Sequence, residues 1–367
     1  MTVPSPVPLG APDVSVLVPV LDEADHIRDV VVAMRSQREA GEVELLFADG
    51  GSSDATREIL DELAGQDPRI RVFDNPRRST ASGLNVCLRH ARGTYLARMD
   101  AHAFYPDRYL AAGIGRLARG DTSWVSGPAI PAGRGPVGRA VALALTGPLG
   151  RGGSRKWSPG AAEYELDSGV FAGVWRRETV LAYGGWDEDW PSNQDSEMAG
   201  RFLRHSERLV CLPEMAAHYL PRESLGALAR QYRGYGFYRA RTARRHPDTL
   251  RRSALLPPIV VLTWAAAVLA PGFVRRLARL GVAGHATAVA AAGLKSAADG
   301  ARSDAILVPS VLATMHAAHG VGYLHGFLRF GPPWRVLRRI VGLSGAAAAT
   351  GADDGWRVFA PSLEREG

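Results

Sequence analysis

Residues 14–20 (VSVLVPV) form a short apolar, largely β-branched run, the pattern of a strand covered on both faces. Residues 24–38 follow with Ile27, Val30, Val31 and Met34 at helical spacing. A second strand is predicted over 43–48 and a second helix over 54–63, and the alternation continues through 70–73, 81–90 and 95–99. Alternation of this kind over about 100 residues predicts a mostly parallel sheet with helices on its faces. In such a sheet the ligand crevice lies outside the carboxyl ends of the strands. Farther on, residues 167–175 predict another strand and 195–205 another helix. Between these regions, residues 147–160 (GPLGRGGSRKWSPG) read as a Gly/Pro/Ser-rich loop too long for a simple connection, of the lid or binding kind.

Beyond Ser224 the pattern changes. An Arg-rich stretch, 230–252, leads into three segments without Asp, Glu, Lys or Arg, 253–274, 280–294 and 305–328. The first and third hold 22 and 24 residues, enough to cross a bilayer, whereas the second, with 15, is short. This predicts a membrane-embedded or membrane-bound region; an Ala-rich soluble helical domain is the alternative. A span by the first segment would put Arg275, Arg276 and Arg279 outside, against the positive-inside tendency, and Pro257-Pro258 interrupts that segment near its start. A re-entrant or interfacial hairpin would keep the Arg clusters on one side. The pattern leaves open the number of spans. The expected division is a flexible N-terminus (1–12), an α/β domain (13–225), an Arg-rich juxtamembrane segment (226–252), an apolar helical region (253–342) and a mobile tail (343–367).

Charge sharpens that division. The 367 residues carry 44 Lys+Arg against 37 Asp+Glu, a formal +7. Residues 1–225 hold 25 basic and 30 acidic groups, while residues 226–367 hold 19 and 7. Positive charge beside apolar segments suits an anionic membrane surface. Nucleic acid is not an expected partner, because the Arg-rich stretch runs into apolar segments without interleaved stacking aromatics. Hydrophobic residues at 46% and charged residues at 22% exclude wholesale disorder. Two cysteines, Cys87 and Cys211, are too few for a disulfide framework or a four-thiolate zinc site and fit a reducing compartment. Residues 1–12 lack the basic start and apolar core of a signal peptide. The expected location is therefore the cytoplasmic face of the cell membrane.

Acidic residues recur where the predicted strands end. Asp22-Glu23 follow the first strand, Asp49 ends the second and Asp100 the fourth, and Asp195 opens a later helix. On a parallel sheet these would converge on one cleft. Such a cluster suits a divalent cation bridging a diphosphate, since hard cations take oxygen ligands; individually, strand-end carboxylates also cap helices and turns.

These residues resemble a known family. Residues 16–23 (VLVPVLDE), 49–56 (DGGSSDAT), 98–102 (RMDAH) and 193–197 (NQDSE) are similar, in order and spacing, to the motifs of family 2 glycosyltransferases with the GT-A fold. The membrane-associated transferases of exopolysaccharide synthesis, of the succinoglycan glucosyltransferase type, are the nearest subgroup, and the resemblance covers residues 14–238. It implies a GT-A nucleotide-sugar transferase domain, an α/β Rossmann-like mostly parallel sheet, joined to a C-terminal helical membrane-associated region. It implies that Pro19 and Glu23 shape the base and ribose pocket, that Asp49 contacts the nucleobase, and that Asp54 caps a helix. Residues 76–85 (PRRSTASGLN) match the segment that passes the nucleotide, where Gly83 permits close backbone approach, Asn85 ends the stretch, and Arg77 or Arg78 neutralises phosphate or forms a solvated pair. Asp100 and His102 stand where the family's metal-binding Asp-x-Asp lies; an imidazole in place of the second acid favours Mn²⁺ over Mg²⁺.

Asp195 matches the family's catalytic base, with Gln194 replacing the acid that usually precedes it. Glu197 and Arg201 either hold that base or serve the helix surface. Gly173 and Trp175 either line the sugar pocket or pack in the core. The implied reaction is an inverting, metal-dependent transfer from a nucleoside-diphosphate sugar to a lipid-linked or other saccharide acceptor. Residues 231–235 (QYRGY) do not match the spacing of the processive synthases' motif, which favours transfer of a single sugar. Two rivals stand beside this reading. A nucleotidyltransferase would need a Gly-rich, Lys-containing phosphate loop, yet the first lysine is Lys156. A non-catalytic membrane scaffold that only binds nucleotide-sugar has no use for both Asp100 and Asp195. His316 and His319, at i, i+3, are expected to pack rather than to bind metal.

Overall fold

The structure, a computed structural model, describes residues 12–157, 160, 162–166 and 171–340. The flexible start expected over 1–12, but for Pro12, the mobile tail expected over 343–367 and the first four residues of the strand expected over 167–175 lie outside the described residues.

The chain begins with β1 (Val14–Val20), α1 (Ile27–Arg35), β2 (Val43–Asp49), α2 (Thr56–Gln66), β3 (Ile70–Asp74), α3 (Thr80–His90) and β4 (Tyr95–Arg98), the alternation that the hydrophobic pattern predicts. Helix α1 buries Ile27, Val30, Val31 and Met34, the four residues at helical spacing. Ser79 starts α3 by accepting a hydrogen bond from the backbone N–H of Ser82. Next come β5 (Ala103–Phe104), α4 (Tyr109–Leu117), β6 (Trp124–Ser126), β7 (Ala129–Pro131), α5 (Gly135–Thr146) and α6 (Pro148–Arg151). Helix α6 falls inside the stretch expected to be a loop. Pro148 occupies its first position and Gly152, at φ 54°, ends it, so the same Pro and Gly that read as loop formers delimit a helical turn. The remaining elements are β8 (Tyr164–Glu165), β9 (Gly173–Arg176), α7 (Arg177–Ala182), α8 (Gln194–Arg204), β10 (Leu209–Cys211), β11 (Ala217–Tyr219), α9 (Leu225–Arg245), α10 (Leu256–Leu269), α11 (Gly272–Asp299), α12 (Asp304–Phe330) and α13 (Trp334–Ile340).

Two compact units result. Among the described residues the first comprises 12–129 and 160–218. Its eight-stranded sheet has the order β3-β2-β1-β4-β9-β6-β10-β8. Strands β3, β2, β1 and β4 run parallel, and β9 lies antiparallel between β4 and β6. Because β2 lies on one side of β1 and β4 on the other, the strand order switches beside β1, where ligands of such sheets bind. The register pairs Val20 with Asp49, Asp49 with Asp74, and Leu17 with Arg98. The acidic strand ends therefore collect along one edge.

A buried carboxylate pins the opposite edge. Glu44, 1% exposed, accepts hydrogen bonds from Ser15 Oγ at 2.7 Å and from Arg92 through its backbone N at 2.9 Å and Nη2 at 2.8 Å. Ser15 Oγ in turn accepts from the N–H of Gly93 at 2.8 Å. One carboxylate thus ties the starts of β1, β2 and β4, which fixes the register that aligns their far ends. The core beyond β4 is aromatic: Trp175 packs on Trp124 and Trp186 with ring centroids 4.9 and 5.7 Å apart. Gly173 lies at φ 142°, and a Cβ there would fall 2.3 Å from Trp124 Nε1, so only glycine lets β9 cross this indole. Cys87 and Cys211 are buried free thiols, and burial pushes the Cys87 thiol up to about 12.

The second unit comprises residues 130–157 and 219–340 among those described. It includes α5 and α6, which the expected boundary at 225 had grouped with the sheet. Val141, Ala144 and Leu145 of α5 share a core with Leu228 of α9 and with Val308, Val311, Leu312 and Met315 of α12. Arg139 of α5 pairs at 2.9 Å with Asp304, which is 1% exposed. Helices α9 and α12 approach closely enough that a Cβ on Gly236 would stand 2.1 Å from the His319 carbonyl oxygen, and one on Gly322 2.1 Å from that of Arg233. Three helical stretches, Arg252–Leu269, Gly272–Asp299 and Asp304–Phe330, are long and apolar enough to cross a membrane. Their outward faces carry Ile259, Leu262, Leu269, Phe273, Leu280 and Ile306, all more than half exposed, which fits membrane association.

Hydrogen bonds to the Glu44 carboxylate outweigh the burial that would raise its pKa, and hold it below the usual glutamate value. Its contribution to stability is therefore complete above the ordinary pKa of about 4.3 and is lost as pH falls through the lower folded value. Glu44→Gln is expected to lower stability by about 1–3 kcal/mol at pH 7, because it removes charge-assisted hydrogen bonds. Denaturation at a series of pH values checks this: the gap between wild type and variant should narrow below about pH 4.

Candidate active site

At the carboxyl edge, the loop after β1 is knitted to the loop after β2. Asp22, at φ 55°, accepts from Ser53 N at 2.7 Å, and its own N–H donates to Ser52 Oγ. The Glu23 N–H donates to Thr56 Oγ1 at 2.8 Å. Asp54 accepts from Thr56 N and Ala24 N; the N-cap of α2 is Ala55 rather than the expected Asp54, whose carboxylate instead ties the first residue of the helix to the neighbouring loop. Asp49 accepts from Ser52 Oγ at 2.6 Å and from Ser52 N at 3.1 Å. It lines a cavity of about 230 Å³ together with Gly50, Gly51, Asp74, Asn75, Pro76 and Arg78.

The other members of that segment are placed differently. Gly83 is buried on α3, and a Cβ there would lie 2.9 Å from Pro19 Cβ and 3.0 Å from Asn75 Nδ2. What Gly83 admits is the packing of α3 on β1 at Pro19. Asn85 donates through Nδ2 to the Trp186 carbonyl at 2.7 Å and to Glu188 Oε1 at 2.9 Å, and accepts from Trp186 N at 2.9 Å. Arg77 pairs with Glu188 at 2.7 Å. Both therefore hold the segment 186–188.

Beyond β4 stand the residues of the RMDAH stretch. Arg98, 8% exposed, donates through Nε to Asp100 Oδ1 at 2.7 Å and through Nη1 to Asp195 Oδ1 and Oδ2 at 2.7 and 2.6 Å. Burial would lower the pKa of this guanidinium, but Asp100 and Asp195 outweigh it and raise it. The Asp100 N–H donates to Tyr105 Oη at 2.6 Å, and burial, with Asp100 beside it, holds the Tyr105 phenol neutral. His102 Nδ1 lies 3.1 Å from Glu23 Oε1, which links the β1 loop to the β4 loop. A chain of contacts thus runs along the edge: Asp49 through Ser52 to the loop of Asp22-Glu23, Glu23 to His102, and Asp100 through Arg98 to Asp195.

Asp195 opens α8 behind Asn193, which adopts a left-handed conformation at φ 62°, with Gln194 buried beside it. Glu197 is fully buried and takes Arg201 Nε at 3.1 and 3.0 Å. Arg201 also donates to the carbonyls of Tyr183 and Gly185, the latter at 2.7 Å. The Glu197–Arg201 pair and Asn85 therefore grip residues 183–188 from two helices. Trp175 and Gly173 belong to the aromatic core described above. Sequence reasoning assigned no role to Arg98, although its signal was present: a basic residue two positions before Asp100 at the end of a covered strand.

The sheet order, the antiparallel β9 and the loop cluster define the GT-A fold. The mannosyltransferase PcManGT from Pyrobaculum calidifontis, solved in complex with GDP-Man and Mn²⁺, shares it: TM-score 0.57 and 19% identity over 89% of this chain and 90% of that one. The family model described as glycosyl transferase family 2 matches residues 15–160. Succinoglycan biosynthesis protein ExoA of Rhizobium meliloti (strain 1021) is 35% identical over 234 residues, which cover 63% of this chain and 70% of that protein. A pre-mycofactocin glycosyltransferase of Mycobacterium tuberculosis (strain ATCC 25618 / H37Rv) is 25% identical over 254 residues, 67% of this chain and 52% of its own. The chain belongs to the family 2 glycosyltransferases, of the exopolysaccharide type.

Arg201→Lys keeps the charge but cannot reach Glu197 and two carbonyls at once. It is expected to cost about 1–3 kcal/mol and to speed amide hydrogen exchange selectively in residues 183–188, measured by mass spectrometry.

Proposed function

We propose that this transferase moves a sugar from a nucleoside-diphosphate donor to a membrane-held saccharide, linked through a polyprenyl diphosphate, at the cytoplasmic face of the membrane. The observation that carries the site assignment is the single buried guanidinium of Arg98 held by both Asp100 and Asp195. It brings the acid of the RMDAH stretch and the acid opening α8, 95 positions apart in the chain, into one electrostatic unit.

The donor side falls to the cavity at Asp49, with Arg78 on its wall for the diphosphate. A divalent ion, Mn²⁺ or Mg²⁺, fits the Asp100 and His102 side chains in one respect that matters. Among the described residues no group of three or more His, Cys, Asp or Glu side chains is placed to hold a metal alone. A hard cation that keeps a few protein ligands and completes its shell with phosphate oxygens and water suits such a pair. When bound, the ion would bring positive charge to the departing diphosphate. Glu23, on Nδ1 of His102, would fix the tautomer that leaves Nε2 for the ion. The mannosyltransferase that shares the fold holds Mn²⁺ and GDP-Man, which supports this assignment.

Asp195 is the proposed base. It removes the proton from the acceptor hydroxyl as that oxygen bonds to C1 and the C1–O bond to the diphosphate breaks, so one displacement inverts the anomeric centre. Arg98 holds the Asp195 carboxylate in place through Nη1, and the helix N-terminus at Gln194-Asp195 adds favourable field. The likeness to a protein of succinoglycan biosynthesis supports a saccharide acceptor, and the exposed apolar helices support a lipid-held one.

Asp195→Asn is expected to reduce transfer about 10²- to 10⁴-fold while donor affinity stays within a few-fold of wild type; full activity in this variant would remove Asp195 from the mechanism. Asp100→Asn is expected to abolish the part of donor binding that depends on Mn²⁺. Thermal shift with nucleotide-sugars, with and without Mn²⁺ and after chelation, measures this, and an unchanged Mn²⁺ dependence would place the ion elsewhere.

A further inference from the structure

In the second unit, Tyr232, Gly236 and Arg239 recur along one face of α9, and at Gly236 α12 comes close through His319 and Tyr323. The rings of His319 and Tyr323 stack with centroids 6.1 Å apart, and Tyr232 lies 6.2 Å from His319. Three polar groups at this place have no protein partner among the described residues. Tyr323 is completely buried and its hydroxyl makes no hydrogen bond, and His319 Nε2 is equally enclosed and unmatched. Arg239 makes no hydrogen bond or ion pair. Its charge lies close enough to bear on both Tyr323 and His319, and Arg251 adds a second positive charge nearby. Desolvation of its half-buried side chain, with Arg251 nearby, lowers the Arg239 pKa.

Unmatched buried polar groups are rare and costly, and two of them beside a half-buried guanidinium call for a common partner. A guanidinium presents only donors, a phenol offers one, and an imidazole offers Nε2–H in one tautomer. All three can therefore be satisfied at once by an anion with several oxygen acceptors. The neighbouring His316 differs: it contacts His285 Nε2 at 2.9 Å and the Leu149 carbonyl oxygen at 3.1 Å, so its ring is already satisfied by protein.

We infer that α9 and α12 form a binding site for a phosphate or diphosphate group, held by Arg239, Tyr323 and His319. Both sources of that group share this chemistry: the phosphate of a lipid headgroup, or free phosphate and pyrophosphate. The lipid source rests on the acceptor reading above and deepens it by naming the residues that hold the acceptor's phosphate; the free source does not depend on it.

The test uses the full chain in phosphatidylcholine nanodiscs. One arm adds inorganic pyrophosphate, and the other incorporates polyprenyl phosphate. Thermal unfolding and binding are followed for wild type, Arg239→Met and Tyr323→Phe, with nucleotide binding to the first unit as the check on folding. Wild type should be stabilised by at least one probe: by pyrophosphate alone if the source is free, by polyprenyl phosphate alone if it is lipid, by both if the site takes either. Arg239→Met should lose that stabilisation, because the group that supplies the positive charge has been removed. Tyr323→Phe should bind about three- to tenfold more weakly, the loss of one charge-assisted hydrogen bond. No stabilisation of wild type by either probe, or equal stabilisation of wild type and both variants, would overturn the site; if Arg239→Met does not fold, undiminished affinity in Tyr323→Phe overturns it. Stabilisation by polyprenyl phosphate without sugar transfer to any polyprenyl-linked acceptor would instead leave the site standing and sink the acceptor reading.

Discussion

A guanidinium taken out of water costs several kcal/mol unless carboxylates meet it, and a buried carboxylate carries the same cost in reverse. Arg98 meets two, Asp100 two residues away and Asp195 on a different helix. One guanidinium thus joins two acids that lie far apart in the chain. The side chain of Arg98 is 9% exposed, so the pairs are screened little by solvent. The position of α8 relative to β4 therefore follows from where this one cation can reach both acids. Much else at the carboxyl edge serves to keep that arrangement: the β9 strand beside β4, and the aromatic core under Gly173.

The segment 183–188 shows the same economy by neutral means. Asn85 of α3 matches the backbone of Trp186 on both its donor and its acceptor, and Arg201 of α8 matches two carbonyls on the other side. Fully matched polar groups of this kind specify one conformation, because any other leaves them unpaired in the interior. Residues that resemblance would place around the nucleotide, Arg77 and Asn85, are committed to this segment, so the loop that precedes Asp195 is fixed from the nucleotide side of the sheet.

The alternation of strands and helices was legible because a parallel sheet covered on both faces imposes near-continuous apolar runs such as residues 14–20. The acids at strand ends were legible for the same reason, since a strand's carboxyl end is marked by the residue that stops the run. Asp49 and Asp100 were found in that way, and Asp195 by its place at the start of a helix. Gly173, Trp175 and Gly83 could not be separated from pocket residues, because glycine and tryptophan at a core crossing look identical in sequence to glycine and tryptophan against a sugar; only the collision of a Cβ with Trp124 or Pro19 decides. Arg98 was passed over for a related reason: a charged residue at the end of a covered strand breaks the apolar pattern, and that break reads as a signal only once its distant partner Asp195 is known. The joining of α5 to α12 depends on Arg139 meeting Asp304, again a pairing that no local period encodes.

Two arginines, the buried Arg98 and the half-buried Arg239, illustrate how far residue type underdetermines role. The first is surrounded by carboxylates and its pKa rises; the second has none, and burial lowers its pKa. A cation in the first situation organises protein, since all its bonding capacity is spent on the chain. A cation in the second has that capacity left over, at an energetic cost that the folded state bears continuously. The cost is sensible only if something else uses the bonding capacity. Beside the exposed apolar faces of α10 to α12, the chemistry that remains for such a group is an anion delivered with, or near, a lipid surface, and the excess of basic residues after 225 draws anions to the same unit.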